Sequence, residues 1–449
     1  MRRRDLLLGM AATLASGWLG APAFALGRIP VGGRLAISLP WPLASIDPAD
    51  LCDPTAALFA HAIADPVYAL DAANEPYPAL ALDYPQLAGQ TTKVKLRPGL
   101  VSARGKALDA RDLVFTLERA RRMGGAPRLL DLPTPTVDRH DPLVANFATT
   151  DREQVVRALA LPTTALVPRG FSPTQPDGTG AMRAEPGTDR LVLVRNPNAA
   201  RGASFLDDVV VQRAPDLSAS LRAFEANSTD VGWLGAGLHA PRPQAVPFDF
   251  GKAGWIVLQT GSEAGAWGAP GVAQRLVEAL PSERLQHLGL GPLPVPRGEA
   301  VWGGPPGPLL YEEGSAQLAE IARTLASILS RPGHELLPEP LSRAELQRKR
   351  QSGTFLAMLH VVRPLGPSGL ASLVALTAAV DSRAALDVVR RPPRLSSFEP
   401  RSLTRMLRLG VVGELRVTGA HAAELRLARA ASGDGWDLGA SHRLPRKGA

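Results

Sequence analysis

The sequence predicts an α/β protein of more than one lobe, and three observations carry that prediction. In the second half, helix, strand, helix and strand patterns follow one another, an order that lays helices on a sheet. Runs such as Trp255-Ile256-Val257-Leu258 are apolar at every position, as strands covered on both faces are. The 449 residues are also enough chain for two or three cores.

The elements follow in order. Met1-Arg2-Arg3-Arg4-Asp5 is a short basic start, Leu6 to Gly20 is mostly apolar, and Ala21-Pro22-Ala23-Phe24-Ala25 offers an A-x-A cleavage signal. That order predicts a secretory signal peptide over residues 1–25, cut near Ala25, and hence a periplasmic protein. The apolar run is shorter than the roughly 20 residues that cross a bilayer. Arg3-Arg4-Asp5-Leu6-Leu7 also places paired arginines before an apolar pair, as a twin-arginine (Tat) signal does, so the Tat and Sec routes both stay open.

Arg34 to Leu39 reads as a first strand, broken by Pro40, Pro42 and Asp47-Pro48. A helix is expected around Thr55 to Val67. Thr92 to Arg97 alternates apolar and basic residues, a half-buried strand. Asp109 and Asp112 form the cap of a helix that ends at Gly124-Gly125. Asp177-Gly178-Thr179-Gly180 is read as a tight turn before strands at 190–195 and 209–213. A helix from Leu217 to Ala226 and a strand near Val231 to Leu234 follow, and the Gly- and Pro-rich stretch 235–247 suits a crossover or hinge.

Beyond the apolar run at 255–258, a helix over 317–331 is stopped by Pro332-Gly333. A strand near 335–337 precedes a helix opened by the capping box Ser342-Arg343-Ala344-Glu345. Phe355 to Val362 is a buried strand.

Composition excludes several functions. The net charge is +8, of which the signal segment carries three Arg against one Asp. Arg119/Arg121/Arg122 and Arg348-Lys349-Arg350 read as solvated helix faces, and aromatics at 5% leave little for base stacking. No nucleic-acid partner is expected. Leu370 to Val380 is too short and too interrupted to span a membrane, so no stable insertion is expected. Cys52 is the one cysteine, so no internal disulfide forms. The chain has no G-x-S-x-G elbow, no H-E-x-x-H and no P-loop, and its eight histidines are scattered. No catalytic residue, metal or cofactor is expected, and the chain does not read as an enzyme.

Several segments, in order, carry a resemblance. They are Ser45-Ile46-Asp47-Pro48, Tyr77-Pro78-Ala79-Leu80-Ala81 and Leu96-Arg97-Pro98-Gly99, then Gly105-Lys106-Ala107-Leu108-Asp109-Ala110-Arg111-Asp112-Leu113. Gly178-Thr179-Gly180, Leu191 to Pro197, Phe205-Leu206-Asp207 and Thr229-Asp230-Val231 follow, with 319–329, 342–346 and 353–355 in the second half. Together they resemble family 5 of the extracellular solute-binding proteins, the dipeptide- and oligopeptide-binding receptors. The resemblance covers nearly the whole chain after residue 25. Ala181-Met182 replace the family's Pro-Phe, Asn198 stands where an aromatic often follows, and a cleft motif is reduced to Gln259-Thr260-Gly261. The chain is also shortened, mostly in the second lobe.

The resemblance implies a two-lobed periplasmic binding protein, class II-like, with an additional subdomain in the first lobe. The layout it implies is 26–50 and 169–250 in the first lobe and 51–168 as the inserted subdomain. Residues 251–400 form the second lobe, and 401–449 return to the first. It further implies a monomeric receptor that captures a small solute, a peptide above all, for an ABC importer permease. Alternatives are a receptor for a non-peptide solute, or a degenerate module acting as sensor or scaffold without transport. Ligand contacts are expected at Trp41, Asp47, Trp233, Trp267, Arg275, His360 and Arg363.

Overall fold

The computed structural model describes residues 31–233, 244–291, 301–393, 404–430 and 435–444, with Ile29 and Gly298. The expected signal segment 1–25 and most of the expected hinge, 235–243, lie outside the described residues.

The first strand of the described residues is β1 (Arg34–Leu39), as the sequence predicts, and an acidic loop leads from it to α1 (Pro54–Ile63). Asp53 caps α1 by accepting from the N–H groups of Thr55 and Ala56. A hairpin follows, β2 (Tyr68–Leu70) with β3 (Pro76–Pro78). A four-stranded sheet comprises β4 (Gln86–Ala88), β5 (Thr91–Lys95), β6 (Thr136–Val137) and β7 (Val144–Phe147), in the order β4-β5-β7-β6. Across it lies α2 (Ala110–Met123), which has the expected capping box of Asp109 and Asp112 and stops where Gly124 turns left-handed (φ 76°). Then comes α3 (Arg152–Leu159).

The rest of the chain gives β8 (Met182–Pro186), β9 (Arg190–Arg195), β10 (Asp208–Arg213), α4 (Leu217–Glu225), β11 (Val231–Trp233) and β12 (Val246–Thr260). It continues with α5 (Val272–Glu278), β13 (Gly307–Glu312), α6 (Ala316–Leu329), β14 (Leu336–Leu341), α7 (Arg343–Ser352) and β15 (Ala357–Val362). Helices α8 (Gly369–Ala378) and α9 (Ser382–Arg390) precede β16 (Leu409–His421), β17 (Leu425–Arg429) and β18 (Trp436–Arg443).

Ten of these strands form one mixed sheet in the order β14-β13-β15-β12-β16-β11-β1-β10-β9-β8. Its two halves are joined through β12 and β16, which pair antiparallel along almost their full length. The register slips between Asp249 and Lys252, again before Gly254, and again between Ile256 and Val257. Such bulges bend and twist a strand pair, which lets one pair serve both halves.

The run at 255–258 is apolar throughout because β12 is covered on both faces. Ile256 and Leu258 join the apolar cluster that contains β1, β9 and α6. Trp255 and Val257 join a second cluster, shared with α2, α3, α8 and α9. The segment 49–166 thus shares its core with the helices that follow β15.

One local expectation is corrected. Residues 177–180 do not make a tight turn; they run against the C-terminal end of α1. A Cβ on Gly178 would sit 2.5 Å from the Ile63 carbonyl, and one on Gly180 2.5 Å from that of Ala62. Glycine is needed there for close approach, and the Gly180 N–H uses it to donate to the Ile63 carbonyl at 2.9 Å.

Candidate ligand-binding site

A cavity of about 500 Å³ lies where α1, the β2–β3 hairpin, the β12 bulge, the loop after β15 and the start of β18 converge. Helix α1 supplies one wall. Ala56, Ala57, Ala60, His61 and Ala64 recur at helical spacing, and four of these five have no side chain beyond Cβ, so the wall stays hollow. Trp436 closes another side. Its indole packs on Phe59 (ring centroids 5.9 Å apart) and its Nε1–H donates to the Leu58 carbonyl at 2.7 Å. Lys252 and Ala253 enter from the bulge of β12.

The charged lining has both signs. Asp65 accepts from the Thr179 hydroxyl at 3.0 Å and faces Arg201 at 3.6 Å; burial raises its carboxyl above the usual range, with Arg201 opposing. Arg201 in turn donates to the Tyr77 hydroxyl at 2.9 Å. Lys252 lies 5.2 Å from the centre of the Trp255 ring and has no carboxylate partner among the described residues. Asp437 accepts from the Ala440 N–H at 3.1 Å and likewise meets no cation there. His61 opens onto the cavity's solvent yet is surrounded by protein; that burial lowers its imidazole, with Asp437 pulling it up and Arg363 pushing it further down.

Of the seven residues singled out from the sequence, Arg363 alone lines this cavity. Trp41 and Trp233 are buried and meet edge to face, centroids 6.1 Å apart, with Trp233 Nε1–H donating to the Arg416 carbonyl. Trp267 is half-buried against Trp302 (5.2 Å). Arg275 is exposed on α5, whose other face buries Val272, Leu276 and Val277.

Asp47, His360 and Arg363 gather around the loop after β1, and of the three only Arg363 reaches the cavity. Asp47, Asp50 and Asp53 are spaced three apart on the loop after β1, and each takes an arginine from elsewhere. Asp47 binds Arg119 of α2 (2.6 Å), Asp50 binds Arg350 of α7 (3.1 Å), and Asp53 binds Arg343 of α7 (2.6 Å). Arg343 also reaches Glu312 at 2.6 Å and the Ser45 carbonyl at 3.1 Å. Arg363 donates to the carbonyls of Pro48 (3.1 Å) and Asp50 (3.2 Å). Burial pushes the Asp53 carboxyl up to about 6 against the pull of Arg343. For Asp50, burial is outweighed by Arg350 and the Cys52 N–H, which leave it lowered.

The pairs of Asp50 and Asp53 are therefore an ionic seam between the two halves of the sheet. The expectation that Arg350 lies on a solvated face is corrected: its side chain is 12% exposed, against 75% for Arg348. Arg119, at 14%, is corrected in the same way.

His360 sits behind this seam, its Nε2 2.8 Å from Gln259 Oε1. Burial, and then the charge of Arg350, push its imidazole down to about 3. Because the unfolded chain binds this proton near 6.5, the stability His360 contributes is complete above 6.5 and is lost as pH falls toward 3. At pH 5 the loss is about 2 kcal/mol. Asp53, raised to about 6, gains stability over the same window. The His360 loss is therefore read as the difference between wild type and His360→Gln, which keeps a polar partner for Gln259, in urea denaturation from pH 7 to 5; identical slopes for the two proteins contradict the assignment.

Comparison with known proteins gives the fold its class. No known sequence family and no curated protein sequence matches the chain. Solved structures match it over nearly its whole length. The oligopeptide-binding protein AppA from Bacillus subtilis, in complex with a nonapeptide, is 14% identical, with a TM-score of 0.68 over 93% of this chain and 100% of that one. The murein tripeptide binding protein MppA from Escherichia coli is 14% identical, with a TM-score of 0.65 over 93% and 100%. NikA from Brucella suis, in complex with Fe(III)-EDTA, is 13% identical, with a TM-score of 0.59 over 92% and 100%. The chain has the two-lobed α/β fold of the periplasmic binding proteins. The similar structures are binding proteins. Among the described residues there is no cluster of three or more metal-ligating side chains, and no helix is long and apolar enough to cross a membrane.

Proposed function

We propose that the protein is an exported receptor that captures a small amphoteric solute, a short peptide above all, for an ABC importer permease. The observation that carries this reading is the cavity of about 500 Å³ at the meeting of the two sheet halves and the segment 49–166. Its size falls within the roughly 300–1,000 Å³ typical of small-molecule sites. A solute gripped from both sides favours the arrangement in which both sides touch it, and a permease can recognise that arrangement. Lys252 and Asp437, each without an ion-pair partner among the described residues, suit a ligand that carries a carboxylate and an amine. Burying either charge unpaired is costly, so a ligand that pairs both is favoured over one that pairs neither. The receptor works as a monomer.

A thermal-shift screen of di- to pentapeptides tests the reading. Occupancy at 100 times the dissociation constant adds about 2.7 kcal/mol of stability. A flat response to every peptide, with another solute retained, would replace the peptide by that solute.

Export follows from Met1–Ala25, and the pair Arg3-Arg4 makes the Tat route the one to test. Changing both arginines to lysine should stop export of the precursor, read by fractionation. Undiminished export would leave the Sec route.

A further inference from the structure

A second cavity, about 290 Å³, adjoins the first: Leu70 and Leu365 line both. Its charge is of one sign. Arg128 and Arg157 line it beside Asn74 and Ser368, and no carboxylate is among its lining residues.

The two arginines differ in their ties. Arg157 holds Glu153 at 2.8 Å, Glu75 at 3.7 Å and the Asn74 carbonyl at 3.3 Å; both glutamates are largely exposed and contribute little. Arg128 stands on the short turn Pro127–Leu129, half-buried, with no hydrogen-bond or ion-pair partner among the described residues. Burial, and after it the like charge of Arg157, lower its guanidinium from the ordinary value, with the largely exposed Glu153 opposing. The first turn of α8 (Ser368, Leu370, Ala371) forms a further wall, and its partial positive charge adds to the same sign.

A guanidinium kept half out of water beside another cation, facing open volume and without a bonded partner among the described residues, suits an anion brought from outside. Arg363 in the larger cavity is different, because Asp53, Asp50 and Asp47 already surround it.

We propose that this side cavity is the subsite for the carboxylate end of the solute, with Arg128 as its partner, the body of the solute lying in the larger cavity. The inference rests on the receptor reading above. It commits the solute to a free carboxylate at the end that passes Leu70 and Leu365.

Binding of a tripeptide library with free C termini, and of the same library C-terminally amidated, tests it by competition or calorimetry. In the wild type, free-acid peptides should bind at least about tenfold more tightly than their amides. Arg128→Gln should remove that preference while leaving the amides unchanged. The melting temperature of Arg128→Gln should stay level or rise, since the cation it removes has no partner, and Arg128→Lys should recover part of the preference. Equal binding of acids and amides in the wild type, or an equal loss for both in Arg128→Gln, overturns the subsite and leaves the receptor standing. Binding of neither library overturns the peptide reading, and the subsite falls with it.

Discussion

Arg343→Ala should cost about 3–5 kcal/mol of unfolding free energy, the largest effect expected of any single polar substitution here. Arg343 is the only cation in contact with Glu312 and with Asp53 among the described residues, and both carboxylates are buried, Asp53 completely. Its removal leaves two buried acids without the contacting cation that offsets their desolvation. Asp53 keeps the N–H groups of Asp47, Thr55 and Ala56, so it stays bonded but loses its counter-charge. The control is Arg348→Ala, one turn further along α7 and 75% exposed, which should move stability by less than about 0.5 kcal/mol. Guanidinium denaturation of both variants measures the difference. Equal and small effects would mean that the seam is superficial.

Ala57→Trp should lower solute affinity on the order of a hundredfold or more while leaving the fold intact. Ala57 is half-buried on the hollow face of α1, where an indole would enter the cavity and not the core. A ring placed in open volume meets no packed neighbours, so stability should change by about 1 kcal/mol at most. Calorimetry with the strongest peptide from the screen gives the affinity, and a thermal melt gives the stability. Retained affinity would move the ligand out of this cavity.

Local features of the fold were legible in the sequence because they depend on neighbours along the chain. Asp109 with Asp112, and Ser342 with Glu345, specify helix starts within four residues. Residues 255–258 advertise a strand covered on both sides without saying what covers it. The long pairing of β12 with β16 was not legible: its paired residues are 150 or more apart in the chain and its bulges depend on the partner's register.

The site was less legible still. Asp53 and Arg343 are 290 residues apart, so neither shows in the sequence that the other neutralises it. Asp50 and Asp53 were passed over for this reason, although their spacing with Asp47 was there to see. The alanine stripe from Ala56 to Ala64 was read only as a helix, because small residues usually mark close packing and here they mark space. Tryptophan misdirects in the opposite sense. Trp41 and Trp233 fill the core as large apolar rings do, whereas Trp436 is the one that walls the cavity.

Everything about the proposed role depends on a solute held in that alanine-walled space. Native mass spectrometry of the mature protein purified from its exported fraction addresses this directly. The account predicts an added mass of a few hundred daltons on the wild type, released on denaturation and absent from Ala57→Trp. The bare polypeptide mass for both proteins, together with no thermal response to any peptide, or an identical adduct on both, would contradict it.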